Sequence, residues 1–149
     1  MISVQSNDLN FPLVEELMIP SEKVAHVQVG NPLDHALLVL LKTGYSAVPV
    51  LDATFKFQGV VSKTMILEET LGIEQFELDK LNDLTVIEVM KKDVPCLKKD
   101  HSMIDALYKL IDHPFICVTN DDGEFDGIIT RRTILKQFSK HYHETLKRA

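Results

Sequence analysis

The chain of 149 residues is 45% hydrophobic and carries 22 acidic against 16 basic side chains, a net charge of −6 with histidine neutral. That apolar content is ample for one core, or for two small repeats that share one. The acidic balance argues against a general nucleic-acid binder, so any anion site must be a local basic patch; no apolar run reaches membrane-spanning length and no signal segment opens the chain, which points to the cytoplasm.

In chain order, residues 1–8 are polar and read as loose. Residues 8–18 carry Leu9, Leu13 and Leu17 with Phe11 and Val14, predicting a short amphipathic helix interrupted early by Pro12 and ended by Pro20. Lys23-Val24-Ala25-His26-Val27 reads as a short strand. Asn31-Pro32 is a helix start, an N-cap followed by proline at the first helical position, for a helix over residues 32–42. Its five leucines, Leu33, Leu37, Leu38, Leu40 and Leu41, exceed one stripe and predict cover on more than one side. Gly44 closes that helix. Residues 47–51 read as a buried strand, 52–56 as a turn and 57–61 as the partner strand, after which Ser62 caps a helix to about Leu71. A connector over 72–85 contains a short helical stretch around 76–81, and the chain ends in a helix from Arg131 to about Leu146.

The second half repeats the first. Glu88-Val89-Met90 matches Glu16-Leu17-Met18, Ile104-Asp105-Ala106-Leu107 matches Asp34-His35-Ala36-Leu37, and Phe115-Ile116-Cys117-Val118 matches Ala47-Val48-Pro49-Val50. Gly127-Ile128-Ile129-Thr130 matches Gly59-Val60-Val61-Ser62, 68 residues apart. The predicted class is therefore mixed α/β (α+β), two tandem β-α-β-β-α repeats. The boundaries are 9–71 for the first repeat with its N-terminal helix, 72–85 for the connector, 86–141 for the second repeat and 142–149 for the end of the last helix. A repeat of roughly 60 residues buries too little to be secure alone, so the two are expected to pack together.

Residues 127–133 stand out chemically. They read as the end of a buried strand, a capping Thr130, and then Arg131 and Arg132 in the first turn of a helix. A helix N-terminus offers unpaired N–H groups and a positive dipole end, so two arginines there oppose helix stability and favour a bound phosphate. Elsewhere the titratable groups are less suggestive. His141 and His143 diverge on a helix, and His26, His35, His101 and His113 lack partners at metal-ligand spacing. Cys96 and Cys117 form no CxxC and read as reduced, buried thiols. The acidic residues around 68–69 and 74–83 read as a solvated face.

The order and spacing of these elements resemble a tandem pair of cystathionine-β-synthase (CBS) domains, a Bateman module. The resemblance covers about residues 9–141 and is carried by Val24-Ala25-His26-Val27, Gly44-Tyr45-Ser46-Ala47-Val48-Pro49-Val50 and the two Gly-x-x-Ser/Thr elements. It implies a regulatory protein, not an enzyme, that binds an adenine nucleotide in the cleft between its repeats and pairs into a homodimer. Carried over by position, the site takes Lys23, Ala25, Val27, Tyr45, Ser46 and Ala47 from the first repeat and Thr130, Arg131, Arg132 and Thr133 from the second. The pseudo-symmetric site would use Pro95, Leu97, His113, Pro114 and Phe115 with Ser62, Lys63 and Met65, and is expected to be plugged by Phe115 and Met65.

One departure selects the ligand. Where the resemblance implies a ribose-gripping aspartate after the Gly-x-x-Ser/Thr element, this chain has Thr133 and Met65. A carboxylate suits a free 2′,3′-diol and repels a phosphate at the 3′ oxygen. Threonine beside two arginines suits a 3′-esterified nucleotide such as cyclic di-AMP, with AMP or ATP as the alternative ligand. The chain is thus similar to the stand-alone cyclic-di-AMP-binding CBS proteins of Gram-positive bacteria. That likeness implies a regulated protein partner, among such targets a bifunctional (p)ppGpp synthetase/hydrolase, and no cofactor, metal, nucleic-acid or membrane partner. A small enzyme finds no support in the sequence, which has no Gly-x-Ser-x-Gly, no GxxxxGK and no metal set. An interaction protein with vestigial clefts is the remaining competitor.

Overall fold

The structure, a computed structural model, describes residues 11–71 and 79–148. In chain order its elements are α1 (Val14–Leu17), β1 (Ile19–Pro20), β2 (Val27–Gln28), α2 (Leu33–Thr43), β3 (Ala47–Leu51), β4 (Phe57–Ser62) and α3 (Lys63–Thr70). They continue with α4 (Lys80–Asp83), α5 (Val86–Val89), β5 (Cys96–Leu97), α6 (Met103–Leu110), β6 (Phe115–Thr119), β7 (Phe125–Thr130) and α7 (Arg131–Arg148). The repeated β-α-β-β-α order is present twice, as β2-α2-β3-β4-α3 and as β5-α6-β6-β7-α7. No helix among the described residues is long and apolar enough to cross a membrane.

Residues 25–71, 79–94 and 122–125 make one unit. Its sheet runs β2-β3-β4, with β2 parallel to β3 (Val27 beside Val50) and β3 antiparallel to β4 (Ala47 beside Ser62). Leu33, Ala36 and Leu40 of α2 pack into a core with Val27, Val48, Val50, Val61, Ile66 and Val86. That is a single i, i+3, i+7 stripe. Leu38 and Leu41 fall on another face and stay exposed, so within this unit α2 is not covered on more than one side as its leucine content predicts. Gly44 ends α2 in the left-handed conformation at φ 76°, its amide donating to Leu40. Asn31 does not cap α2. Pro32 holds the cap position, and the Asn31 amide oxygen instead accepts from Gln28 N at 2.7 Å. The β3–β4 turn is built on Asp52, whose carboxylate accepts from the Thr54 hydroxyl and amide and from the Lys56 amide. The Thr54 hydroxyl, then the Lys56 amide, hold that carboxyl below its usual range.

The second unit comprises residues 11–24, 95–121 and 126–148. Its sheet runs β1-β7-β6-β5. Val14, Leu97, Met103, Ala106, Leu110, Ile116, Val118, Ile129 and Ile134 form its core. The opening segment of the chain therefore completes the sheet of the second repeat, with Ile19 antiparallel to Ile128. The predicted helix over 8–18 is cut to the single turn Val14–Leu17, and residues 8–10 lie outside the described ones. Pro12 disfavours helix at its own and the preceding position, and its carbonyl instead accepts from Met103 N. The predicted strand over 23–27 also shrinks. Ser21–Lys23 is a 3₁₀ turn closed by Val24 N to Ser21 O at 3.1 Å, and of that run only Val27 is in a strand. Of the helical stretch expected around 76–81, the part before residue 79 is outside the described residues, and Lys80–Asp83 forms one turn.

Two glycines fix how each unit gains its outer segment. A Cβ on Gly127 would overlap the Ile19 carbonyl, and one on Gly59 would lie 2.5 Å from the Lys91 carbonyl oxygen. Lys91 exchanges both backbone bonds with Val60, at 3.0 and 2.9 Å, as Ile19 and Pro20 pair with Ile128 and Gly127. Cys96 and Cys117 are register neighbours on the parallel pair β5–β6, and both are free thiols. Burial pushes the Cys117 thiol well above its usual range, helped by Cys96, and burial raises Cys96 against an opposing pull from Lys98.

Two predictions follow from this packing. Gly59→Ala and Gly127→Ala should each destabilise by about 1–3 kcal/mol through backbone overlap, lowering the thermal midpoint by several degrees; unchanged midpoints would contradict the close approach. A thiol reagent at neutral pH should label native Cys96 slowly and Cys117 no faster than the protein unfolds, read by mass spectrometry. Rapid stoichiometric labelling of Cys117 would show a thiolate that this packing forbids.

Candidate functional site

The predicted site residues fall in both units. In the second repeat β7 ends at Thr130 and α7 begins at Arg131. The Thr130 hydroxyl accepts from the Thr133 amide at 3.2 Å, as an N-cap does, and lies 3.0 Å from the Thr133 hydroxyl. The turn thus presents two neighbouring hydroxyls and no carboxylate. The Arg131 amide donates to Pro114 O at 3.2 Å. Its guanidinium turns toward the end of α6, with Nε donating to Leu110 O at 2.7 Å and Nη2 to Ile111 O at 3.1 Å. A cation that opposes the dipole of its own helix here complements the negative end of another. Arg132 is exposed and, among the described residues, makes no ion pair or side-chain hydrogen bond. Lys23, in the same unit, is exposed at the end of its 3₁₀ turn.

The first-repeat residues gather around the start of β3. Tyr45 and Ser46 are exposed and Ala47 is half-buried beside Ser62 in register. Ser46 O accepts from Lys63 N at 3.0 Å, the counterpart of the Pro114–Arg131 bond 68 residues on. Ser62 caps α3 by accepting from Met65 N at 3.1 Å. Ala25 packs half-buried against the core, and Val27 is 2% exposed within it, so the Val27 side chain belongs to the core. Ala25 is small enough to let a flat ring approach its own backbone.

Sequence reasoning missed two features of the second repeat. A polar pocket of about 300 Å³ is lined by Lys98, Lys99, Asp100, Thr119, Asn120, Asp121 and Asp126. In it Lys98 Nζ donates to Asn120 O at 2.6 Å, and Asp126 pairs loosely with Lys99 at 4.0 Å. Its residues are scattered in sequence, so no spacing announces it. An apolar groove of about 170 Å³ lies between α6 and α7, lined by Leu107, Leu110, Ile111, Arg131, Ile134 and Leu135. Among the described residues no group of three His, Cys, Asp or Glu could hold a metal ion.

Comparison with known proteins agrees with this architecture. The chain is 47% identical over 141 residues to cyclic di-AMP receptor B of Bacillus subtilis (strain 168), spanning 95% of this chain and 96% of that one. A CBS-domain-containing protein from Bacillus anthracis superposes with a TM-score of 0.84 at 53% identity, over 91% of this chain and 99% of the other. The CbpB protein of Listeria monocytogenes, in complex with c-di-AMP, superposes with a TM-score of 0.81 at 48% identity, over 87% and 97%. Residues 14–72 and 86–140 each match the CBS domain, and the chain belongs to the family of tandem CBS-domain proteins.

Proposed function

We propose that this chain is a cytoplasmic cyclic-di-AMP sensor that acts on a partner protein by occupancy-dependent docking and carries out no catalysis of its own. The observation that carries the reading is the α7 entry: an exposed Arg132 with no partner among the described residues, in the same turn as the Thr130 and Thr133 hydroxyls, and no carboxylate in that turn. Near-full-length similarity to a cyclic di-AMP receptor supports it. In this reading Arg132 and Lys23 face the phosphodiesters, and Thr130, Arg131 and Thr133 form the turn that carries Arg132. Tyr45, Ser46 and Ala47, with Ala25 and the Val27 backbone, receive an adenine. A ligand of this kind regulates only if it binds the docked and free forms with different affinity. A (p)ppGpp synthetase/hydrolase is the target implied by the resemblance.

A homodimer fits the exposed apolar helix faces. One unit shows Leu38, Leu41 and Leu67, and the other shows Tyr108, Ile111 and Leu135, each at least 40% exposed. Such patches mark association surfaces in small soluble proteins. Sedimentation should give a dimer, and Leu41→Glu or Ile111→Glu should shift it toward monomer; a monomeric wild type would contradict this part of the reading.

The ligand assignment is tested by titration calorimetry. Arg132→Gln should weaken cyclic di-AMP about 10–100-fold, the loss of a charge-assisted contact of roughly 1.5–3 kcal/mol. Thr133→Asp should weaken cyclic di-AMP comparably while leaving AMP binding unchanged or stronger, because the carboxylate repels only the 3′ phosphate. Unaltered cyclic di-AMP affinity in both variants would remove the site assignment.

A further inference from the structure

We propose that Arg131 is a positioning residue, not a phosphate contact: it pins the first turn of α7 to the end of α6 and so sets where Arg132 and the two threonine hydroxyls are presented. The inference rests on the ligand reading above. Three bonds carry it, from the Arg131 amide to Pro114 O and from its guanidinium to Leu110 O and Ile111 O. They join one residue to both ends of the short α6–β6 connection.

The two repeats explain why such a residue is needed. The last carbonyls of any helix lack intrahelical partners. In the first repeat Gly44 takes up a left-handed conformation after α2 and its amide caps Leu40 O, so Lys63, the counterpart of Arg131, has no such task. In the second repeat α6 is followed by Ile111 in the right-handed conformation, with no glycine there. The carbonyls of Leu110, the last residue of α6, and of Ile111, which follows it, are satisfied from outside, by the adjacent Nε and Nη2 of Arg131. A guanidinium reaches two successive carbonyls along one edge, and an ammonium has no such fork. Its charge also lies at the negative end of α6, where it is favourable. Of the adjacent arginines, Arg131 is thus accounted for by the fold, and Arg132 is the charge left for a ligand.

The test uses the full chain as wild type, Arg131→Lys and Arg131→Gln. Cyclic di-AMP affinity is measured at low and high salt, and amide hydrogen exchange over residues 131–134 is followed without ligand. A positioning role predicts that Lys and Gln both weaken binding about tenfold, by the same factor at either salt, and that exchange in the first turn of α7 speeds up in both. The proposal is overturned if Lys keeps wild-type affinity while Gln loses it and the loss shrinks with salt, which is the signature of a direct phosphate contact. Wild-type affinity in both variants, or unchanged exchange, also overturns it. If the wild type fails to bind cyclic di-AMP, the ligand reading falls separately, and exchange alone decides whether Arg131 holds the turn.

Discussion

A backbone crossing organises each unit. At Gly59 and Gly127 the third strand of a repeat has no side chain, and a neighbouring segment lies where a Cβ would be. Lys91 fills that place over β4, and Ile19–Pro20 fills it over β7. The same short stretch then supplies a buried Val61 or Ile129, a capping hydroxyl and the first turn of the closing helix. Glycine, cap and helix entry are therefore linked by covalent spacing. Displacing the strand at its glycine would move the cap three residues later and everything the helix entry presents. This is why the segment most suggestive of chemistry is also the one that cannot be varied freely for structural reasons.

Much of this was legible from residue order. The 68-residue spacing of Gly-x-x-Ser and Gly-x-x-Thr identified two equivalent strand-to-helix turns, and both hydroxyls do cap their helices. Gly44 was readable as a helix end because a left-handed residue is needed there. Other features depend on partners distant in sequence. The pairing of Ile19 with Ile128 cannot be inferred from local pattern, and it is this pairing that places the opening turn in the unit of the second repeat. Pro12 foretold an interruption, but the helix it was expected to interrupt survives as one turn because its preceding backbone is used against Ser102 and Met103. The leucines of α2 outnumber what its own unit buries, since periodicity cannot distinguish a core stripe from a face left for another surface.

The two adjacent arginines at the start of α7 have different physical roles. Two cations in the first turn oppose the dipole of α7, and that conflict requires an explanation for each. For Arg131 the explanation is the end of α6, where it satisfies the carbonyl of Leu110, 21 residues earlier, at 2.7 Å and that of the following Ile111 at 3.1 Å. For Arg132 the described residues hold none, and an external anion is the simplest partner left. The adjacent hydroxyls of Thr130 and Thr133 extend the same preference. Hydroxyls can donate to an esterified sugar oxygen or a phosphate oxygen, whereas a carboxylate would bring a like charge beside the phosphate.

We propose that this turn selects a 3′-esterified adenine nucleotide. The most direct measurement is calorimetric titration of the unmodified protein with cyclic di-AMP and with AMP under identical salt and pH. Such selection predicts saturable binding of cyclic di-AMP at least tenfold tighter than AMP, equivalent to about 1.4 kcal/mol. Tighter binding of AMP, or no binding of either, would contradict it.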